Sequence, residues 1–185
     1  MDNIYVNINH WSSPVYQQTV LIVMAVLVAG SVINFLLRKK NQYSMIAWAS
    51  LKSWLIMAPI MFIIMGIRSP APIIFLTLLA LHGAKVFFQI MGMFHRTAFV
   101  TICYIGIIGL GYSAYTDNLT LYNEMAMIVL GLSCLVKKKK KDYKNMIQYI
   151  SLTLLAFIFL GWSFLHLGLV LNFENGIYQV MYLII

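Results

Sequence analysis

Acidic side chains are almost missing from this sequence: Asp2, Asp117, Glu124, Asp142 and Glu174 are the only five in 185 residues. Phosphoryl and nucleotidyl transfer use carboxylates to hold Mg²⁺, and no two of these acids are close in sequence. Asp142 is embedded among lysines that neutralise it. Cysteine is equally sparse. Cys103 and Cys134 both fall inside long apolar runs, where they read as packing residues and imply neither a disulfide nor a metal site. A Gly-rich phosphate loop, spaced Cys/His ligands and a nucleophile elbow are all absent, and His10, His82, His95 and His166 are scattered along the chain. Taken alone, the sequence holds no catalytic site, no metal site and no cofactor. The first fourteen residues contain no Lys or Arg and so lack the positive region of a signal peptide.

What the chain has in excess is apolar side chain. With 62% hydrophobic residues, 10% charged and a mean hydropathy of +0.85, it exceeds what a soluble core buries and has too few charges to cover one. The expected class is an all-α, polytopic helical membrane protein forming a single transmembrane domain over residues 1–185. A net charge of +8 suggests nucleic acid in a soluble domain. Here the cations flank apolar runs, so membrane lipids with anionic head groups are the expected partners and nucleic acid is not.

The layout is anchored by the basic loop 137–144, which contains Lys137, Lys138, Lys139, Lys140, Lys141 and Lys144. Lysine-rich short loops mark the cytoplasmic side. Alternating from it, residues 15–37 form a first span that ends inward at Arg38, Lys39 and Lys40. Residues 41–53 read as an interfacial helix leading into a second span, 54–67, which stops at Pro70 and Pro72 because two prolines cannot continue a helix. Residues 73–93, 97–115, 119–136 and 145–171 complete six full crossings. Of thirteen Lys and Arg, only Arg68 then falls on the outer side, so the N-terminus is expected outside, in a bacterial inner membrane. Residues 177–185 begin a seventh crossing but cover only ~14 Å at 1.5 Å per residue, roughly half the ~30 Å of hydrocarbon. The expectation is a crossing cut short, continued in a longer protein or completed by a homo-oligomer or a partner; the alternative is a segment that lies along the membrane interface.

Individual polar residues have modest readings. Glu124 and Lys85 sit near span ends, where long side chains snorkel to the interface. His166 reads as a helix-packing residue, and Gly106, Gly109, Gly111 and Ser113 as a close-packing stripe. The sequon Asn118-Leu119-Thr120 lies too near the bilayer to be read as a glycosylation site. Arg38 to Lys40 and the lysines of 137–144 are membrane-surface anchors.

The stretch Leu51-Lys52-Ser53-Trp54-Leu55-Ile56-Met57 leads into a span, is followed by Gly66, and precedes a span and a short basic loop with His95-Arg96. With the outer turn Phe173-Glu174-Asn175-Gly176, it resembles the N-terminal membrane half of phosphatidate cytidylyltransferases (CDP-diacylglycerol synthases) over about residues 47–185. That resemblance implies transfer of a cytidylyl group from CTP to phosphatidate in phospholipid biosynthesis. It also implies Mg²⁺ held by aspartates in a C-terminal half that this chain does not contain, so the 185 residues are expected to be inactive alone. The chain departs from the pattern at Ser50, where related sequences carry arginine, and lacks any acid between Arg68 and Asp117. What the resemblance leaves here is a set of lipid-phosphate-binding candidates, Lys52, Lys85, His95 and Arg96. The alternative is a small non-enzymatic membrane protein, transporter-like or an accessory subunit.

Overall fold

The computed structural model describes residues 10–37, 42–67, 69–136, 145–173 and 175–184. Among them every regular element is helical. After a 3₁₀ turn, His10–Ser12, come α1 (Pro14–Leu37), α2 (Gln42–Gly66), α3 (Ala71–Ile90), α4 (Thr97–Tyr115) and α5 (Leu119–Leu135). Then follow α6 (Met146–Ala156), a π-helical segment Phe157–Trp162, α7 (Ser163–Val170) and α8 (Gly176–Ile184). Among the described residues, four helices are long and apolar enough to cross a membrane: Pro14–Leu36, Ala71–Ile90, Thr97–Tyr115 and the continuous run Met146–Val170. Ser50–Gly66 and Leu119–Leu135 are apolar but shorter. This is the pattern of an integral membrane protein. The chain divides into two compact units, one of residues 1–71 with 177–185 and the other of residues 72–176.

In the first unit, α2 is one unbroken helix of 25 residues, so residues 42–53, read from the sequence as a helix leading into the second span, run straight into it. No Gly or Pro interrupts it before Pro59, and Phe35 of α1 still packs on Trp48 of α2, ring centroids 5.4 Å apart. The polar-looking segment thus continues along α1. At the opposite end the fully buried Tyr16 donates its hydroxyl to the Phe62 carbonyl at 2.6 Å, and Trp11 donates its indole N–H to the Ile63 carbonyl at 3.3 Å. Gly66 is required here because a Cβ would run into the Trp11 ring. The hydroxyls of Ser13 and Tyr178 lie 3.0 Å apart, which ties the start of α1 to α8.

His10 is half-buried beside the Tyr16 ring, at a centroid distance of 6.3 Å. Burial pushes its pKa below the ordinary value of 6.5 because the charged imidazolium loses water. The unfolded chain therefore takes up this proton before the folded one does. Its contribution to stability is fully present above pH 6.5 and is lost as pH falls through the lower folded pKa. The melting temperature is expected to fall between pH 7.5 and 5.5, as read by thermal unfolding in detergent, and His10→Gln is expected to remove that part of the fall.

In the second unit, α4 is the axis, with half of its membrane window buried. Phe99, Cys103, Ile107, Leu110 and Ala114 of α4 are buried, as are Leu76, Ala80, Ala84 and Phe88 of α3. The spacing of four on α3 and of three to four on α4 places each set on one helix face. Close approach depends on small residues. A Cβ on Gly106 would lie 2.5 Å from Val129 and 2.9 Å from Phe157, and one on Gly111 would lie 2.5 Å from the Thr77 hydroxyl. The buried serine and threonine hydroxyls of this unit are satisfied within their own helices: Ser113 donates to the Gly109 carbonyl at 2.8 Å, Ser133 to Val129 at 2.7 Å and Thr153 to Tyr149 at 2.7 Å. Such bonds are needed where hydrocarbon offers no partner.

Candidate functional site: the cationic turn before α4

Two of the lipid-phosphate candidates, His95 and Arg96, stand together in the turn between α3 and α4. Gly92 takes φ +66°, a left-handed value that glycine adopts without steric cost. The turn then closes on the Met93 N–H, which donates to the Phe88 carbonyl at 2.9 Å. Met93 is buried while Phe94 is 46% exposed, so one apolar side chain anchors the turn inward and an aromatic one faces outward. His95 is exposed and Arg96 half-buried.

Arg96 makes two contacts with one side chain, Tyr149. Its Nη2 donates to the Tyr149 hydroxyl at 3.3 Å, and its guanidinium carbon lies 5.0 Å from the centroid of the Tyr149 ring, within range of a cation–π attraction. Tyr149 packs in turn on Phe99, at 5.9 Å between centroids. Arg96 is also the residue that caps α4, with its carbonyl accepting from Phe99 N–H at 3.0 Å and its side chain making no cap bond. The partial positive charge of a helix N-terminus thus adds to the guanidinium. The combination favours an anion with several oxygens, such as a phosphate ester.

The other candidates are distributed around the fold. His95 shares the turn with Arg96. Lys85 is exposed on α3, five residues before its end, or ~8 Å along the axis, a span its four-carbon stem partly covers. His82, also exposed, stands three residues before it on the same helix face. Lys52 is exposed on α2 in the first unit. Arg38, Lys39, Lys40, Lys137 to Lys141 and Lys144 lie outside the described residues. Among the described residues, no three of His, Cys, Asp and Glu come together to hold a metal. The Mg²⁺ implied by the resemblance therefore has no ligand set among them.

The chain matches no family model, no curated protein and no solved structure. Tyr149, which lies 53 positions from Arg96, is the site residue that sequence reasoning missed. Nothing in the local pattern of α6 distinguishes it from the other tyrosines. The same holds at the far end of α4, where the buried Asn172 donates to the Ala114 carbonyl at 2.8 Å and to Asp117 Oδ1 at 3.4 Å. The sequon residue Asn118 has a structural task, because its side chain accepts the Leu121 N–H at 3.0 Å and caps α5.

Proposed function

We propose that this chain is the lipid-facing membrane part of a phosphatidate cytidylyltransferase-like protein, with six crossings and an outer N-terminus. In this reading the Arg96 turn and the lysine run 137–144 both face the cytoplasm and receive the phosphate of an anionic glycerophospholipid. The observation that carries it is the Arg96–Tyr149 contact. Tyr149 stands in the first turn of α6, the helix that follows the lysine run in sequence, so the contact brings the α3–α4 turn to the start of α6. The Asn172 contacts with Ala114 and Asp117 join the α4–α5 turn to the end of α7 in the same manner. Charge segregation along the sequence supports the same pairing of ends. A phosphomonoester head group presents two negative charges and several acceptor oxygens, which suits a guanidinium beside a helix N-terminus.

The test is equilibrium binding of spin-labelled phosphatidate to the detergent-solubilised protein. Arg96→Ala is expected to weaken binding about fivefold, the factor for ~1 kcal/mol per cation near an anionic surface. Tyr149→Phe, which keeps the ring and removes only the hydroxyl, is expected to weaken it less. Equal affinity for phosphatidate and phosphatidylcholine in the wild-type protein would remove the lipid-phosphate reading. Impermeant thiol labelling of single cysteines at positions 117 and 142 tests the orientation. Labelling from outside is expected at 117 and blocked at 142. A protein that binds no phosphatidate yet shows this orientation would fit the non-enzymatic accessory reading instead.

A further inference from the structure

The first unit holds an apolar groove that the Arg96 turn does not use. α1 and α2 run antiparallel, as the pairings of Tyr16 with Phe62 and of Phe35 with Trp48 require. Between them lies a cavity of about 410 Å³ lined by apolar and aromatic side chains, among them Ile22, Val26, Leu51, Trp54, Ala58 and Phe62. Its floor is the buried Ala58, and its rims are Val26, 67% exposed, and Trp54, 48% exposed. In a membrane, a groove of this lining is filled by hydrocarbon, since water finds no polar partner in it.

Length and charge narrow the occupant. From Leu51 to Phe62 the groove follows eleven helical steps of α2, ~16 Å at 1.5 Å per residue. On α1 the lining runs from Ile22 to Leu27, ~8 Å, so the groove covers part of one leaflet of the ~30 Å hydrocarbon core. One described cation stands at the Leu51 end, where Lys52 is exposed beside Leu51. Trp54, one turn further on, is amphipathic and suited to the boundary between head groups and hydrocarbon.

We propose that this groove seats one acyl chain of an anionic glycerophospholipid, with the Lys52 ammonium meeting the lipid phosphate. The inference rests on the chain being a membrane protein and not on the cytidylyltransferase-like reading. It is tested by native mass spectrometry of the full 185-residue protein with added dioleoylphosphatidylglycerol or dioleoylphosphatidylcholine. All variants carry Arg96→Ala, so that binding at the other turn does not count. One phosphatidylglycerol is expected to be retained in preference to phosphatidylcholine. Lys52→Gln, at an exposed position, is expected to reduce that preference about fivefold, which corresponds to ~1 kcal/mol for one cation near an anionic surface. Val26→Trp, which fills the groove from its exposed rim, is expected to abolish retention with the melting temperature unchanged. Equal retention of the two lipids, retention unchanged by both substitutions, or a protein dimer in place of the lipid adduct would overturn the proposal.

Discussion

Replacement of Gly106 by valine is expected to lower the stability of the detergent-solubilised protein by about 3 kcal/mol, the upper part of the usual range for overpacking. The Cβ alone would stand 2.5 Å from Val129 Cγ2 and 2.9 Å from Phe157 Cε2. Both neighbours are buried, Val129 at 1% and Phe157 at 0% exposure, so neither can swing into lipid to make room. α5 and the π-helical segment must both move away from α4. Gly131 is the control. A Cβ there meets nothing within 4 Å, and Gly131→Ala is expected to be neutral or slightly stabilising because alanine is the better helix former. Thermal unfolding followed by circular dichroism checks both. Equal melting temperatures for the two variants would show that α4 and α5 do not pack this closely.

Removal of the Tyr122 side chain is the second large expected effect. Tyr122→Ala is expected to cost about 3 kcal/mol, as for other large aromatic side chains in a core. Tyr122→Phe is expected to cost about 1 kcal/mol for the hydrogen bond alone. Tyr122 is 1% exposed. Its hydroxyl donates to the Trp162 carbonyl at 2.9 Å, and its ring meets Trp162 edge-on, at 5.7 Å between centroids and 86° between planes. His166 packs on the same ring at 6.0 Å. Lipid solvates an apolar ring as well as a neighbouring helix does, so most of the loss is packing contact rather than transfer from water. Trp162 ends the π-helical segment, where the altered backbone turn brings a carbonyl to Tyr122. If the alanine and phenylalanine variants melted alike, the ring would contribute nothing and this account of the α5–α7 contact would fail.

Helix extents were legible because hydropathy and punctuation act locally. The boundaries read for the fourth span coincide with Thr97–Tyr115, since His95-Arg96 and Thr116-Asp117-Asn118 mark both ends with groups that avoid hydrocarbon. The small-residue stripe on α4 read as close packing, and the structure shows close packing at Gly106 and Gly111. The contact of Trp48 with Phe35 of α1 was not legible for the opposite reason: mixed polarity is a property of single side chains, whereas this contact depends on which helix faces meet.

At the candidate site the division is sharper. Lys52, Lys85, His95 and Arg96 announce themselves as charges in an apolar chain, because any cation at a span end is visible from composition and place alone. That Arg96 is gripped by Tyr149, and that Ala58 floors a groove with Lys52 at its end, depends on which helix faces meet. Membrane helices are apolar on nearly every side, so hydropathy carries no signal for the facing surface. Helix length and loop charge therefore follow from each residue's preference for water or hydrocarbon. Partners such as Tyr149, Trp162 and Asn172 emerge only when the steric fit of small residues brings distant turns of the chain together.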